Sequence, residues 1–464
     1  MPNTFAYFVL IAWPIVTIVL FRKLPADRAL IWALLGGYLI LPPPPAGFDF
    51  PLLPPLEKDS IPSIAALLVV LGMHGLRGTL LPDSMPGRVL VGLFILSPAL
   101  TAFTNMEPVP AGDTVLPALT PKDAVSLSIR QFLLLLPFLL ARQFLDSGGS
   151  QKALLQAFAV AGLIYSLPML LEVRLAPQIN TWIYGYFQHS FEQMIRFGGY
   201  RPIVFLYHGL WAAFLALTAV VAAIGLWRVG HGRNRALWLA AGGYMIVVLI
   251  LCKSVASLAY ALLLVPLVML LSARAQIRVA VVIALMAVSY PMLKGAHAVP
   301  QGWMLAQAQA IDADRAASLE FRFRNEDMLL AHAEKKPLFG WGGWGRNHVY
   351  GPDQTRALTV ADGRWIITVG TFGYVGLFAE FSLIFLPILM MWRESFRQDG
   401  EPLSPFVGPL TLILAINLVD MLPNATMTPM TWLVAGALWG LAEARWKGRP
   451  SARPQHEPIW PSVM

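Results

Sequence analysis

Two segments of the chain set arginine beside glycine and aromatic residues, a combination suited to holding an anionic, sugar-bearing ligand. The first runs from Arg322-Phe-Arg324-Asn-Glu-Asp through an apolar stretch to Pro337-Leu-Phe-Gly340-Trp341-Gly-Gly343-Trp344-Gly345-Arg346. Asn325 to Lys336 reads as a helix outside the membrane, ended by Pro337 and followed by a glycine-rich turn. Glycine lets backbone approach a ligand closely, while Trp341 and Trp344 suit stacking on a sugar ring or a place at the headgroup boundary. Arg322, Arg324 and Arg346 would bracket an anionic group, because the planar guanidinium gives bidentate, charge-assisted hydrogen bonds to phosphate and stays ionised. The competing role for these arginines is contact with anionic lipid headgroups, or pairing with Glu320, Glu326 and Asp327.

The second segment, Arg196-Phe-Gly-Gly-Tyr-Arg201-Pro, leads directly into an apolar run. Arg201 would sit at the external mouth of that span. His208 would lie about two turns below it in a helix starting near Ile203, as a packed, hydrogen-bonded residue. Other ionisable groups near or within apolar runs are Arg130, Lys253, Glu380 and Asp420, and such groups default to functional or paired roles. Lys253 and Arg130 are expected to face the external side, and Glu380 to be a buried partner for another helix. There is no GxxxxGK[ST] loop, no HExxH and no paired CxxC, so ATP hydrolysis and structural zinc have no support, and neither metal nor cofactor is expected.

The elements that must position these residues are set by composition. Of 464 residues, 57% are apolar and only 13% charged, and the mean hydropathy is +0.61, well beyond an ordinary soluble domain. Hydropathy and loop punctuation place spans near 4–21, 28–41, 61–75, 88–104, 124–141, 152–172, 203–227, 236–252, 254–272, 277–293, 364–392, 405–421 and 427–443. The fold class expected is all-α, a polytopic transmembrane helix bundle of about 11–13 spans with a large external loop containing short helices. The pair around the Pro42 to Pro45 turn is short enough to be re-entrant. The first run lacks a basic leader and a small-residue cleavage site, and reads as a retained helix. The single cysteine, Cys252, forms no internal disulfide.

Lysine and arginine alternate between loops, which sets the orientation. Arg22, Lys23 and Arg28, then Arg77 and Arg88, Arg142 and Lys152, Arg228, Arg233 and Arg235, Arg274 and Arg278, and Arg393 and Arg397 mark one side, with Arg445, Lys447, Arg449 and Arg453 in the tail. The intervening short loops carry Asp49, Glu57 and Asp59, or Glu107, Asp113 and Asp123. The expected arrangement is a single integral membrane domain over 1–444, with an external N-terminus, long outer loops near 173–202 and 294–363, and a cytoplasmic basic tail over 445–464. The +8 formal charge is accounted for by this placement, and nucleic acid is not an expected partner.

Together these residues resemble the O-antigen ligase/polymerase superfamily of bacterial membrane glycosyltransferases. The resemblance is carried by the many-helix chain with one large external loop towards its C-terminal third. It also rests on an arginine before the loop helix, Pro337-Leu-Phe-Gly340 with its glycine-rich turn, and Gly373-Tyr-Val-Gly376 in the following span. It covers 196–443, and the N-terminal half matches only in its spans. It implies transfer of a glycan from an undecaprenyl-pyrophosphate carrier to an acceptor glycan at the periplasmic face of the inner membrane, without metal or nucleotide sugar. Membrane lipids are implied partners, and a polysaccharide chain-length regulator accompanies the polymerase form, the preferred one. The family's arginines carry over onto Arg201, Lys253 and Arg322 or Arg324, with lysine replacing a fork by a point charge. Where many members have His-Asn before the Gly-x-x-Gly span, this chain has Asp362-Gly363. Asp362 would take the base position, or His348 or His332 would move into it. A flippase or ion-coupled exporter, or a structural partner in an export complex, would share the spans and the missing nucleotide motif.

Overall fold

A computed structural model describes residues 1–352, 356–397 and 402–448, apart from the side chains of residues 311, 314 and 315. The expected basic tail therefore lies outside the described residues from position 449 onward, Arg449 and Arg453 included.

Every expected apolar run is occupied by a helix. The first half holds α1 (Thr4–Lys23), α2 (Ala26–Ile40), α3 (Ile61–Met73), α4 (Met85–Phe103), α5 (Pro121–Phe144), α6 (Gly148–Leu175) and the short α7 (Ile179–Tyr184). The second half holds α8 (Gly209–Val229), α9 (Gly232–Leu251), α10 (Val255–Leu270), α11 (Ala273–Gly295), α12 (Gln301–Ile311), α13 (Ala313–Ala333), α14 (Arg364–Glu394), α15 (Val407–Asp420) and α16 (Pro429–Trp446). Two small hairpins, β1 (Val109–Ala111) with β2 (Thr114–Leu116) and β3 (Ile195–Arg196) with β4 (Gly199–Tyr200), are antiparallel. Local signals start several helices. The Asn3 side chain accepts from the Ala6 N–H, Thr120 and Asp123 form a capping box, and Ser84, Ser147, Ser254 and Ser272 cap their helices through side-chain oxygens.

Among the described residues, eight helices are long and apolar enough to cross a membrane, and α3, α10 and α15 are shorter apolar helices. The chain is a multi-pass membrane protein built as an all-α bundle. At 13 residues α3 rises only about 20 Å, short of the hydrocarbon thickness, yet the pair around the proline turn joins opposite faces: Ile40 O accepts from Tyr184 OH of α7 at one end, and Arg77 N–H donates to Gln143 of α5 at the other. α8 lies at the centre, with 89% of its apolar window buried, against 28% for α1 and 22% for α9 at the periphery. A helix apolar all round belongs inside a bundle. α16 packs closely on α5: a Cβ at Gly436 or Gly440 would come within 2.2 Å of Phe138 O or 2.1 Å of Arg142 O. Small residues permit such backbone contact between helices in lipid.

Successive helices run up and down, so the loops fall on two faces. On one, Arg142 pairs with Glu443, Lys447 with Asp83, and Glu394 with Arg397 and Arg445. The other face carries both hairpins, α7, α12, α13 and the glycine-rich segment, and is called the loop face below.

Two expected boundaries are corrected. The run expected to be helical from Ile203 becomes helix only at Gly209. Glu172 accepts the N–H groups of Ile203 and Val204 at 2.8 Å each, and Tyr165 OH accepts that of Phe205 at 3.0 Å. With those donors captured by side chains, the backbone stays irregular until His208 caps the helix. The helix expected over Asn325 to Lys336 is instead the 21-residue α13, beginning at Ala313, where the Asp312 carbonyl accepts from Ala316 N–H, and ending at Ala333, ahead of Pro337.

Candidate functional site

The segment after α13 folds back onto a break in α14. At Gly373 the backbone has φ 68° and ψ −171°, non-helical values that glycine alone adopts readily. The groups freed by the break are taken up by the glycine-rich segment. Trp341 and Gly342 donate their N–H groups to the carbonyls of Gly370 and Thr371 at 2.8 and 2.9 Å. Tyr374 and Val375 donate theirs to Pro337 and Leu338 at 2.8 and 3.2 Å. A Cβ on Gly373 would lie 2.3 Å from the Leu338 carbonyl carbon, and one on Gly340 2.6 Å from Gly373 N. The end of α4 clamps the same turn: Thr101 Oγ1 donates to Phe339 O at 2.6 Å, and Asn105 Nδ2 to Gly340 O at 2.9 Å. Both quoted sequence motifs thus meet in one backbone ladder, which holds α14 at its Gly373 break.

Above the first half of α14, α11, α12, α13 and the α15–α16 turn enclose a cavity of about 170 Å³. Arg322, Asn325, Glu326 and Asp362 supply its polar wall, with Tyr290 and Pro423 beside them. Arg322 donates to Pro423 O at 3.2 Å, and Asn325 Oδ1 accepts from Val360 N–H at 2.8 Å, tying α13 to the strand of chain before Asp362. Glu326 Oε2 accepts from Tyr290 OH at 2.8 Å and lies 3.7 Å from Lys294 Nζ. Lys294 Nζ is also 2.8 Å from Asp327 and packs over the Phe323 ring. Desolvation raises the Glu326 carboxyl above its usual range; Tyr290, Lys294 and the Trp365 indole oppose that rise and Asp327 adds to it.

The remaining site residues expected from sequence distribute around this cavity. Asp362 lines it and is exposed at its rim. Its neighbour Arg364 turns away to Glu380, with which it makes paired hydrogen bonds at 2.7 and 2.6 Å. Glu380 is therefore a structural partner, but of its own helix across the Gly373 break rather than of another helix. Arg324 is exposed and stacks over Phe321. Arg346 does not line the cavity. It is 1% exposed and donates to the carbonyls of Trp341, Pro117 and Glu107, so its fork is spent on the loop's own backbone. Trp341 stacks on His332 at 4.4 Å and donates Nε1–H to its carbonyl, with Lys336 over the ring. Trp344 is 60% exposed, at positive φ. His348 is turned to Thr359, its Nδ1 3.1 Å from the carbonyl, and burial lowers the pKa of both His348 and His332.

Arg201 and Lys253 come together in a second basic patch on the loop face. Arg201 donates to Lys253 O at 3.0 Å, and the Lys253 ammonium reaches Arg196 O at 3.1 Å, under the β3–β4 hairpin. Burial pulls the Arg201 pKa down to about 10. His208 is not two turns inside a helix: it is the N-cap of α8, its Nδ1 accepting from Leu210 N–H at 3.0 Å. Burial, then His189 and the nearby arginines, push its pKa down to about 3. α10 joins the two patches, because Tyr260, about two turns beyond Lys253, hydrogen-bonds Asp420, which also feels the charge of Arg322.

Sequence reasoning gave Glu326 only a pairing role and passed over Tyr290. The available signal was spacing: Glu326 lies four positions after Arg322, so both side chains share one face of α13. The chain matches no protein-family model, and no curated protein matches it.

Proposed function

We propose that the protein is a glycan polymerase or ligase of the bacterial inner membrane. It transfers a glycan from an undecaprenyl-pyrophosphate carrier to an acceptor glycan at the periplasmic face. The observation that carries this reading is that Arg322 and two carboxylates, Asp362 and Glu326, wall one cavity at the loop face, beside a second patch holding Arg201 and Lys253. Transfer of this kind needs a cationic group for the pyrophosphate as it leaves and a base for the acceptor hydroxyl, and the cavity walls supply both kinds of group. Lys253 and the exposed Arg324 add positive charge for the diphosphate or the surrounding headgroups, and the exposed Trp344 offers a stacking surface for sugar. The basic loops of the opposite face support a cytoplasmic assignment for that side and a periplasmic one for the cavity and the N-terminus. In the polymerase form, a chain-length regulator is the expected protein partner.

The reading is tested at Arg322. Arg322→Ala should lower glycan transfer by about 10- to 100-fold, the cost of one charge-assisted contact of roughly 1.5–3 kcal/mol. Arg322→Lys should restore only part of it, since lysine lacks the bidentate fork. Wild-type transfer from both variants at matched protein level would remove the cavity from the proposed reaction.

A further inference from the structure

α13 turns Arg322, Asn325 and Glu326 to one side, and that side walls the cavity together with Asp362. The four polar groups are not equivalent. Arg322 is anchored on Pro423 O and presents the cavity's positive charge. Asn325 is committed to backbone, accepting from Val360 N–H and donating to Phe321 O. Asp362 stands exposed at the rim, where water solvates its charge. Glu326 is withdrawn from water, its side chain 13% exposed, and is held at one oxygen by Tyr290 OH with Lys294 alongside. Both histidines considered for proton transfer are engaged elsewhere, His348 at Thr359 and His332 against Trp341.

We propose that Glu326 is the catalytic base of the glycan transfer, taking the proton of the acceptor hydroxyl while Arg322 receives the departing pyrophosphate. The inference rests on the reading of the protein as a glycan transferase and deepens it. In the step, the acceptor oxygen forms a bond to the anomeric carbon of the donor. The bond from that carbon to the pyrophosphate oxygen breaks, its electron pair leaving with the lipid pyrophosphate. The hydroxyl proton passes to the Glu326 carboxylate and is later released to water through the cavity mouth. Arg322, four positions earlier on the same helix face, places positive charge about one turn from the proton acceptor, so base and leaving-group site are held by one rigid element. Tyr290 and Lys294 orient the carboxylate from α11.

Withdrawal from water strengthens a carboxylate as a base, and matching of pKa to working pH is what makes a general base effective. The charged and titratable groups around Glu326 are Tyr290 and Lys294 from α11, Arg322 and Asp327 from α13, and Asp362 ahead of α14. The carboxyl stands above its usual range, so it is ionised only above that raised value. Transfer should fall as the pH drops through it.

The experiment uses the full-length protein in liposomes, with an undecaprenyl-pyrophosphate-linked oligosaccharide as donor and a free oligosaccharide as acceptor. Binding of undecaprenyl pyrophosphate itself is measured in parallel. Glu326→Gln should reduce turnover by about 100-fold or more, with undecaprenyl pyrophosphate binding and melting temperature unchanged. Glu326→Asp should recover part of the turnover and shift the acidic limb of its pH profile. Arg322→Ala, in contrast, should weaken undecaprenyl pyrophosphate binding. Turnover of Glu326→Gln within about threefold of wild type would overturn the assignment. So would loss of binding together with turnover, which marks a structural role. A wild-type protein that consumes no donor would defeat the transferase reading itself, an outcome distinct from either result at Glu326.

Discussion

At the scale of single residues, the arginines divide by what they already hold. Arg346 looks in sequence like an anion ligand beside a glycine-rich turn, yet four backbone carbonyls occupy it, and Arg364 is taken by Glu380. Arg322 spends one hydrogen bond on a carbonyl and still walls the cavity. Sequence names the residue type but not its partners, because the carbonyls that saturate Arg346 come from Pro117 and Glu107, more than two hundred positions away. His208 carries a pH-dependent prediction. Its pKa falls from 6.5 to about 3 through burial and through His189, Arg201 and Arg196. The unfolded chain binds a proton below about 6.5 that the folded chain refuses until near 3. The stability owed to neutral His208 is therefore complete above the unfolded value and lost as pH falls towards the folded one. His208→Asn keeps an acceptor at the helix cap and removes the titration. Its melting temperature should decline less than that of wild type between about pH 7 and pH 5; equal declines would assign the acid sensitivity to another group.

At the scale of elements, helix existence was legible and helix onset was not. The apolar runs are long and strongly patterned, and a helix in lipid satisfies its own backbone, so every run appears as a helix. The start of α8 depends on Glu172 and Tyr165, side chains of α6 that compete for the backbone N–H groups after Ile203. The pairing of Pro337-Leu-Phe-Gly340 with the Gly373 break was equally invisible, although both motifs stood out, since their contact is a backbone ladder and leaves no side-chain pattern. It carries a prediction. Gly373→Ala places a Cβ within 2.3 Å of the Leu338 carbonyl at φ 68°. Strain of the backbone alone costs about 1–3 kcal/mol, and the overlap adds to it. Gly343→Ala, where a Cβ meets nothing within 4 Å, is the control. Thermal unfolding in detergent should show a large loss for the first variant and little change for the second. Equal melting temperatures would mean that the ladder does not fix α14.

At the scale of the whole molecule, a many-helix bundle gathers its hairpins, short helices and glycine-rich segment on one face, opposite the ion pairs of Arg142 and Glu394. The alternation of basic loops, readable from sequence alone, predicts which face is outside. A phosphatase reporter fused near Gly351 should be active and one fused after Lys447 inactive; the reverse would place the cavity in the cytoplasm, away from the proposed donor's periplasmic glycan. In the proposed function, the cavity face consumes a lipid-pyrophosphate-linked glycan rather than moving it. The most direct measurement places the purified protein in liposomes with that donor and an acceptor oligosaccharide, and follows both the lengthened acceptor and the freed undecaprenyl pyrophosphate. The two should appear together, without added nucleotide, and both should be reduced by Arg322→Ala. Donor that reaches the opposite leaflet intact, with no lengthened acceptor, would contradict the proposed function and identify an exporter.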